Sequence, residues 1–405
     1  ALLIGGRSLM PIGNTLMAKK LTSAMGSGAT LPRLAKLLIA CPDEAVRMNV
    51  ARAMQSVTIF RDGCQQVVDQ GTVKSIAQYL KGTLPDIPTT EPLSLCLLYL
   101  LQTLGAVTMY ANGGMRDLFK VDFIKVLLGF LQRASKEGRL PSMAPADSVE
   151  TLRQALRVLW HCGNDPQGRK ETLQSEGVRI ITLYLGASDP KVREAAVCAL
   201  NVASLETQGK RDIFEHSQEG LAALLQSGET ETPYLHETCV QLVRCASELP
   251  VFRFAFARRI LAATKLLEKI YGTAALAAIG PLLQPKEELA VRQKAAEVTL
   301  HFLETQSDGD LIKVPPVCPT DDGQSSADFA LEECVDILHN LVSLLHEDSA
   351  NPAAMSCLEA MCRSVRPRRE LAELLADGRV EPPQACREHL DELVADDLLA
   401  PPEQM

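Results

Sequence analysis

The sequence predicts an all-α chain built from stacked helical repeats, and three observations carry that reading. Residues 191–213 (KVREAAVCALNVASLETQGKRDI), 150–172 (ETLRQALRVLWHCGNDPQGRKET) and 45–67 (AVRMNVARAMQSVTIFRDGCQQV) align so that Gly209, Gly168 and Gly63 share one column. Leu200, Leu159 and Met54 share a second, and Ala196, Ala155 and Val50 a third. A fixed period of this kind marks a solenoid, in which each unit buries its apolar face only against its neighbours. Leu and Ala dominate the composition, while aromatic residues are only 4 %, which suits packed helices rather than sheets. Hydrophobic residues make up 46 % of the chain, enough for a continuous core.

The elements follow in order. Residues 1–29 contain GG, PIGN and GSGA and read as an N-terminal arm around one short helix. Repeats are expected over 30–304. Leu31, Leu34, Leu37 and Leu38 open the first at helical spacing. PDEAV then starts a long helix, which the FRDG turn closes. The second unit holds VKSIAQYL, a Pro-rich insertion over 82–92, and LSLCLLYLLQTLGAVTMY; the third holds MRDLFKVDFIKVLLGFLQ, an insertion over 135–147, and SVETLRQALRVLWHC. The fourth and fifth end in DPKVREAAVCALNVAS and TPYLHETCVQLVRCAS. RFAFARRILAATKLLEKI reads as one basic helix with Phe252, Phe254 and Phe256 buried, and EELAVRQKAAEVTLHFLE follows. Residues 305–328 form a polar loop, 329–365 a pair of capping helices, and 366–405 a basic-then-acidic helical tail. The tail's Leu stripe suits either docking on another protein or capping the last unit. The marker glycines lie 51, 54 and 41 residues apart from Gly63 through Gly114 and Gly168 to Gly209. Both long intervals contain an insertion, and without roughly ten residues each the period is about 40–44.

Charge and motifs narrow the function. Net charge is −9, but Glu370–Met405 carries ten acidic and two basic residues, which leaves the body near neutral. Such a body is not a nucleic-acid binder by bulk charge. Twelve cysteines are scattered with no C-x-x-C, several in apolar helical stretches, which suits a reducing, cytoplasmic compartment and gives no zinc spacing. No apolar stretch reads as a membrane span, and ALLIGG is too short for a secretory signal. His339 and His346 are seven apart on one expected helix, whereas a metal pair wants i, i+4. No nucleophile elbow, P-loop or dinucleotide fingerprint occurs. The expectation is therefore a non-enzyme without cofactor, metal or small-molecule substrate, whose partners are other proteins.

These residues resemble armadillo repeats. LYLGASDPKVREAAVCALNVAS (183–204) follows the family pattern: a helix ending in an apolar pair, a D-P-x-V-R break, and a long helix reading AAxxALxNLA. The resemblance covers about residues 31–305 and implies a right-handed α-solenoid of armadillo/HEAT type. It also implies a groove lined by the long helices, with Gln55, Arg153, Trp160, Glu194 and Asn201 facing a partner. The competing structural reading has Trp160 filling a wide layer between units and Asn201 bonding a neighbouring repeat's backbone. Within the superfamily, the Q-G-K/R turn after the long helix is similar to the E-G-K/R turns of armadillo proteins of ciliary radial spokes. That likeness implies a scaffold in a large assembly, the axoneme of a cilium or flagellum. The alternative is a soluble adaptor or cargo-binding transport receptor. Importin-α lines its groove with Trp and, four residues on, Asn over several units; here Trp160 falls in the column of Asn201, and the Trp column holds Leu156 and Val197.

Overall fold

The structure is a computed structural model that describes residues 30–137, 140, 142–227, 232–272, 275–305, 326–349, 351–362, 365–378 and 382–394. The expected N-terminal arm, most of the polar loop and the last residues of the tail lie outside these. No strand occurs among the described residues. The chain divides into two compact units between Cys245 and Ala246.

The first unit is an α-solenoid. It opens with a pair, α1 (Thr30–Ala40) and α2 (Glu44–Val57). Four three-helix modules follow: α3 (Arg61–Asp69), α4 (Thr72–Thr83) and α5 (Glu91–Tyr110); α6 (Arg116–Phe119), α7 (Phe123–Glu137) and α8 (Pro145–Gly163); α9 (Pro166–Gln174), α10 (Gly177–Thr182) and α11 (Pro190–Ala203); α12 (Thr207–His216), α13 (Gln218–Gln226) and α14 (Pro233–Ala246). The long third helices stack in sequence, α2 on α5, α5 on α8 and α8 on α11. The second helices make another row, α1 on α4, α4 on α7 and α7 on α10. In each module the third helix is the longest, as in the module that the armadillo resemblance implies.

Local chemistry explains each joint. A Cβ on Gly63, Gly168 or Gly209 would lie 2.0 Å, 2.0 Å and 1.9 Å from the carbonyl oxygens of Val57, Cys162 and Ala203. Each first helix therefore lies with its backbone directly on the end of the preceding third helix, a closeness only glycine permits. The residue after the glycine secures the joint. The Arg169 guanidinium donates to Gly163 O at 3.1 Å and pairs with Glu206 at 2.7 Å, and the Cys64 thiol donates to Thr58 O. Three helices start on carboxylate caps: Asp43 on α2, Asp165 on the short α9 and Asp189 on α11 accept from the backbone N–H of Ala45, Gln167 and Lys191, each at 2.8 Å. In the D-P-x-V-R break, Arg193 reaches back to Ala187 O at 2.5 Å.

Helix α5 is 20 residues long, with a window of mean hydropathy 1.6, and is long and apolar enough to cross a membrane by composition. In this unit it lies between α2 and α8 and buries Leu97, Leu100, Leu101 and Leu104. A core helix covered on two sides acquires that composition without a bilayer. The two insertions meet each other. Ser142 Oγ donates to Pro88 O at 2.6 Å and receives a bond from Ser94 Oγ at 2.5 Å. Both insertions sit at the elbow between second and third helices.

The second unit comprises α15 (Pro250–Arg259), α16 (Thr264–Tyr271), α17 (Ala275–Ile279), a 3-10 turn (Gly280–Leu283), α18 (Leu289–Thr305), α19 (Ser326–Glu347), α20 (Pro352–Cys362), α21 (Val365–Ala376) and α22 (Gln384–Val394). The single basic helix expected over RFAFARRILAATKLLEKI is in fact two, α15 and α16, broken at Ile260–Ala263. Phe252 and Phe256 are fully buried and stack on each other at 5.4 Å, whereas Phe254 is only partly covered. Arg258 spends its charge on Glu287 at 3.0 Å. Arg292, in the same Val-Arg position as Arg193, is fully buried; it donates to Leu283 O at 2.9 Å and pairs with Glu347. In the tail, Leu371, Leu374, Cys386 and Leu390 are buried, and α22 packs on α20 and α21. Among the described residues of the tail, these four apolar side chains are covered within their own unit.

Candidate interaction surface

The third helices of the first unit present one face that neither the other helices of the module nor the neighbouring modules cover. On α8 this face holds Glu150, Arg153, Arg157 and Trp160, spaced so that they rise one above the next. On α11 it holds Lys191, Glu194 and Asn201, and on α2 Gln55. All five residues expected to face a partner, Gln55, Arg153, Trp160, Glu194 and Asn201, are partly exposed. Gln55 stands two third helices away from Arg153, so it does not join the others.

Trp160 lies with its ring 5.1 Å from that of His161, tilted by 45°. Its indole N–H has no acceptor among the described residues, and the side-chain amide of Asn201 likewise bonds to none of them. His161 is the member of this pair that fills the layer between modules: it is 4 % exposed, and its Nδ1 lies 3.1 Å from Gly105 O, to which it donates. Of the adjacent pair, His161 is buried in the layer between modules and Trp160 is partly exposed.

Around these residues lies a cluster that the repeat columns do not reveal. Arg153 pairs with Glu150 at 2.7 Å, and Gln154 donates to the other oxygen of the same carboxylate at 2.7 Å. One turn on, Arg157 meets the Met109 sulfur at 3.9 Å. Met109 and Tyr110, at the end of α5, are 48 % and 49 % exposed. Tyr234 of α14 is 46 % exposed and brings its hydroxyl within 3.9 Å of Cys198 Sγ on α11. Burial holds the Glu194 carboxyl above the usual carboxylate range, although Arg153, Arg157 and Lys191 oppose the shift. Burial, with help from Arg153, lowers Arg157. Arg153, Arg157 and Glu194 therefore feel one another across α8 and α11, while Met109, Tyr110 and Tyr234 supply apolar ground on either side.

Among the described residues no group of His, Cys, Asp and Glu is placed to hold a metal ion. In the second unit a cleft lined by Gln284, Lys286, Asp336, His339 and Asn340 is broad and open to solvent.

No protein-family model matches the chain, and no curated protein matches it. Among solved structures, the chain is similar to a designed armadillo repeat protein in complex with the peptide (KR)4, at 13 % identity and TM-score 0.43, over 66 % of this chain and 98 % of that one. It is similar to a second designed armadillo repeat protein at 12 % identity and TM-score 0.42, over 65 % and 96 %. A computationally designed armadillo repeat protein for modular peptide recognition gives 14 % identity and TM-score 0.43, again over 65 % and 96 %. At these TM-scores the fold rests on the chain's own helix pairing.

Proposed function

We propose that the chain is a non-enzymatic scaffold that holds other proteins on the third-helix face of its first unit. The observation that carries this is Trp160: a partly exposed tryptophan whose N–H has no acceptor among the described residues, beside a histidine that already fills the inter-module layer. Tryptophan and arginine are favoured anchors at interfaces, and Arg153 and Arg157 stand on the same helix face. Replacing Trp160 with Ala should weaken partner capture by about tenfold or more, as loss of an interface anchor does, with the melting temperature unchanged. A large drop in melting temperature with capture intact would defeat the reading.

The finer reading is a component of a ciliary or flagellar axoneme, and a radial spoke component 14 homologue is the single protein to which the resemblance points. Its support is the Q-G-K/R turn. Cross-linking mass spectrometry on native material, with detergent-soluble and detergent-resistant fractions kept apart, tests it. Cross-links to axonemal proteins in the resistant fraction support the axonemal role. Recovery in the soluble fraction, bound to varied cargo, leaves a soluble adaptor.

A further inference from the structure

We infer that the third-helix face takes an acidic segment of a partner protein, with one carboxylate on Arg157 and flanking apolar side chains on Met109, Tyr110 and Tyr234. This rests on the scaffold reading above and names the chemistry of its partner.

Glu150 accepts from both Arg153 and Gln154 at 2.7 Å, so Arg153 is engaged. Arg157 has no carboxylate within ion-pair distance among the described residues; its nearest polar contact is the Met109 sulfur at 3.9 Å. A largely covered guanidinium that touches no carboxylate, and feels Glu150 and Glu194 only at longer range, has lost water without a contact ion pair in return, which favours an incoming anion. Between α8 and α11 the charges that act on one another are those of Arg153, Arg157, Lys191, Glu150 and Glu194, three cations against two carboxylates. Those two helices therefore carry a surplus of one positive charge, enough for one carboxylate. A phosphate dianion would meet Glu150 and Glu194 with a charge in excess of that surplus. A basic segment would place a second cation beside an unpaired guanidinium.

Geometry adds the apolar flanks. Met109 and Tyr110 precede Arg157 on the neighbouring helix α5 and are about half exposed, and Arg157 touches the first of them. On the other side, Tyr234 reaches Cys198 on α11. An extended segment crossing α5, α8, α11 and α14 would meet a thioether and a ring, then the guanidinium, then a second ring. The free side-chain amide of Asn201, one turn beyond Cys198, is placed on the same face for a main-chain bond.

The test is an array of synthetic ten-residue peptides in which acidic, basic and neutral positions are varied independently of aromatic and aliphatic content, probed with the full chain. Acidic peptides with apolar flanks should be retained, and basic ones not. Arg157→Gln should weaken retention of the acidic peptides by about ten- to a hundredfold, as loss of a charge-assisted bond does, and Arg157→Lys should restore part of it. Removing a half-buried, unpaired charge should leave the melting temperature in place. Preference for basic peptides, or an R157Q chain that binds acidic peptides as well as the original, overturns the inference. Binding that depends on Trp160 but ignores peptide charge overturns only this inference and keeps the scaffold reading. Binding that ignores both Trp160 and charge overturns the two together.

Discussion

His161 shows how much one side chain can reveal about the layer it occupies. Burial, helped by the nearby Arg157, holds its imidazole down at about 4 against an ordinary value near 6.5, while the Gly105 carbonyl opposes the shift. The unfolded ring takes up a proton below about pH 6.5, and the folded ring resists until about pH 4. Between these values the unfolded chain binds more protons, so stability is retained above the window and falls as the pH drops through it. The full shift corresponds to about 3 kcal/mol by pH 4. Urea unfolding between pH 7 and pH 4 should show this extra loss in the original chain and not in His161→Leu; equal slopes for the two would contradict it. In the sequence, Trp160 attracts attention and His161 does not. Only the stacking of α8 on α5, which brings Gly105 to the imidazole, shows which of the two is structural.

At the scale of helices, the joint between modules was legible and the face between them was not. The glycine column was visible as a repeat, and the contact of each glycine with a carbonyl six residues earlier gives its physical cause. Gly168→Ala should lower stability by about 3 kcal/mol, the upper end of the range for overpacking, because a backbone carbonyl cannot rotate aside. Gly82→Ala, at a helical glycine with nothing within 4 Å of its Cβ, should be neutral or stabilising by up to about 1 kcal/mol. Chemical denaturation of the two variants checks the contrast. The carboxylate caps Asp43, Asp165 and Asp189 were equally readable, since D-P and P-D punctuate helix starts. The break at Ile260–Ala263 was not, because no Gly or Pro marks it and the apolar spacing runs on through ILAA. Arg157, Met109, Tyr110 and Tyr234 escaped notice for a different reason. They occupy different columns of successive modules, and what unites them is the packing of α5, α8, α11 and α14 rather than any spacing along the chain.

Across the whole molecule, the cysteines provide a set of internal reporters. The side chains of ten are described, all as free thiols, and of these only Cys41 and Cys245 are partly exposed. Burial pushes the Cys64, Cys96 and Cys198 thiols up to about 11 and Cys239 to about 12, so all four are protonated and shielded at neutral pH. Native labelling at pH 8, read by peptide mass spectrometry, should modify Cys41 and Cys245 first and spare those four. In rising urea, Cys64 and Cys96, which share a module, should become reactive together, and Cys198 and Cys239 at concentrations of their own, if each module depends chiefly on its neighbours. Fast labelling of all four in native buffer would show that the modules do not close as described. The solenoid itself was legible because one unit's burial pattern recurs in the next, whereas the division between Cys245 and Ala246 falls where the helical pattern continues. One consequence concerns where this chain tolerates added length. The glycine-on-carbonyl joint fixes the passage from each third helix to the next first helix, and both natural insertions sit instead at the elbow between second and third helices. That elbow is a port for grafting. A reporter or epitope placed between the exposed Pro85 and Asp86 would leave the rise from one module to the next, and the whole Trp160 face, as they are.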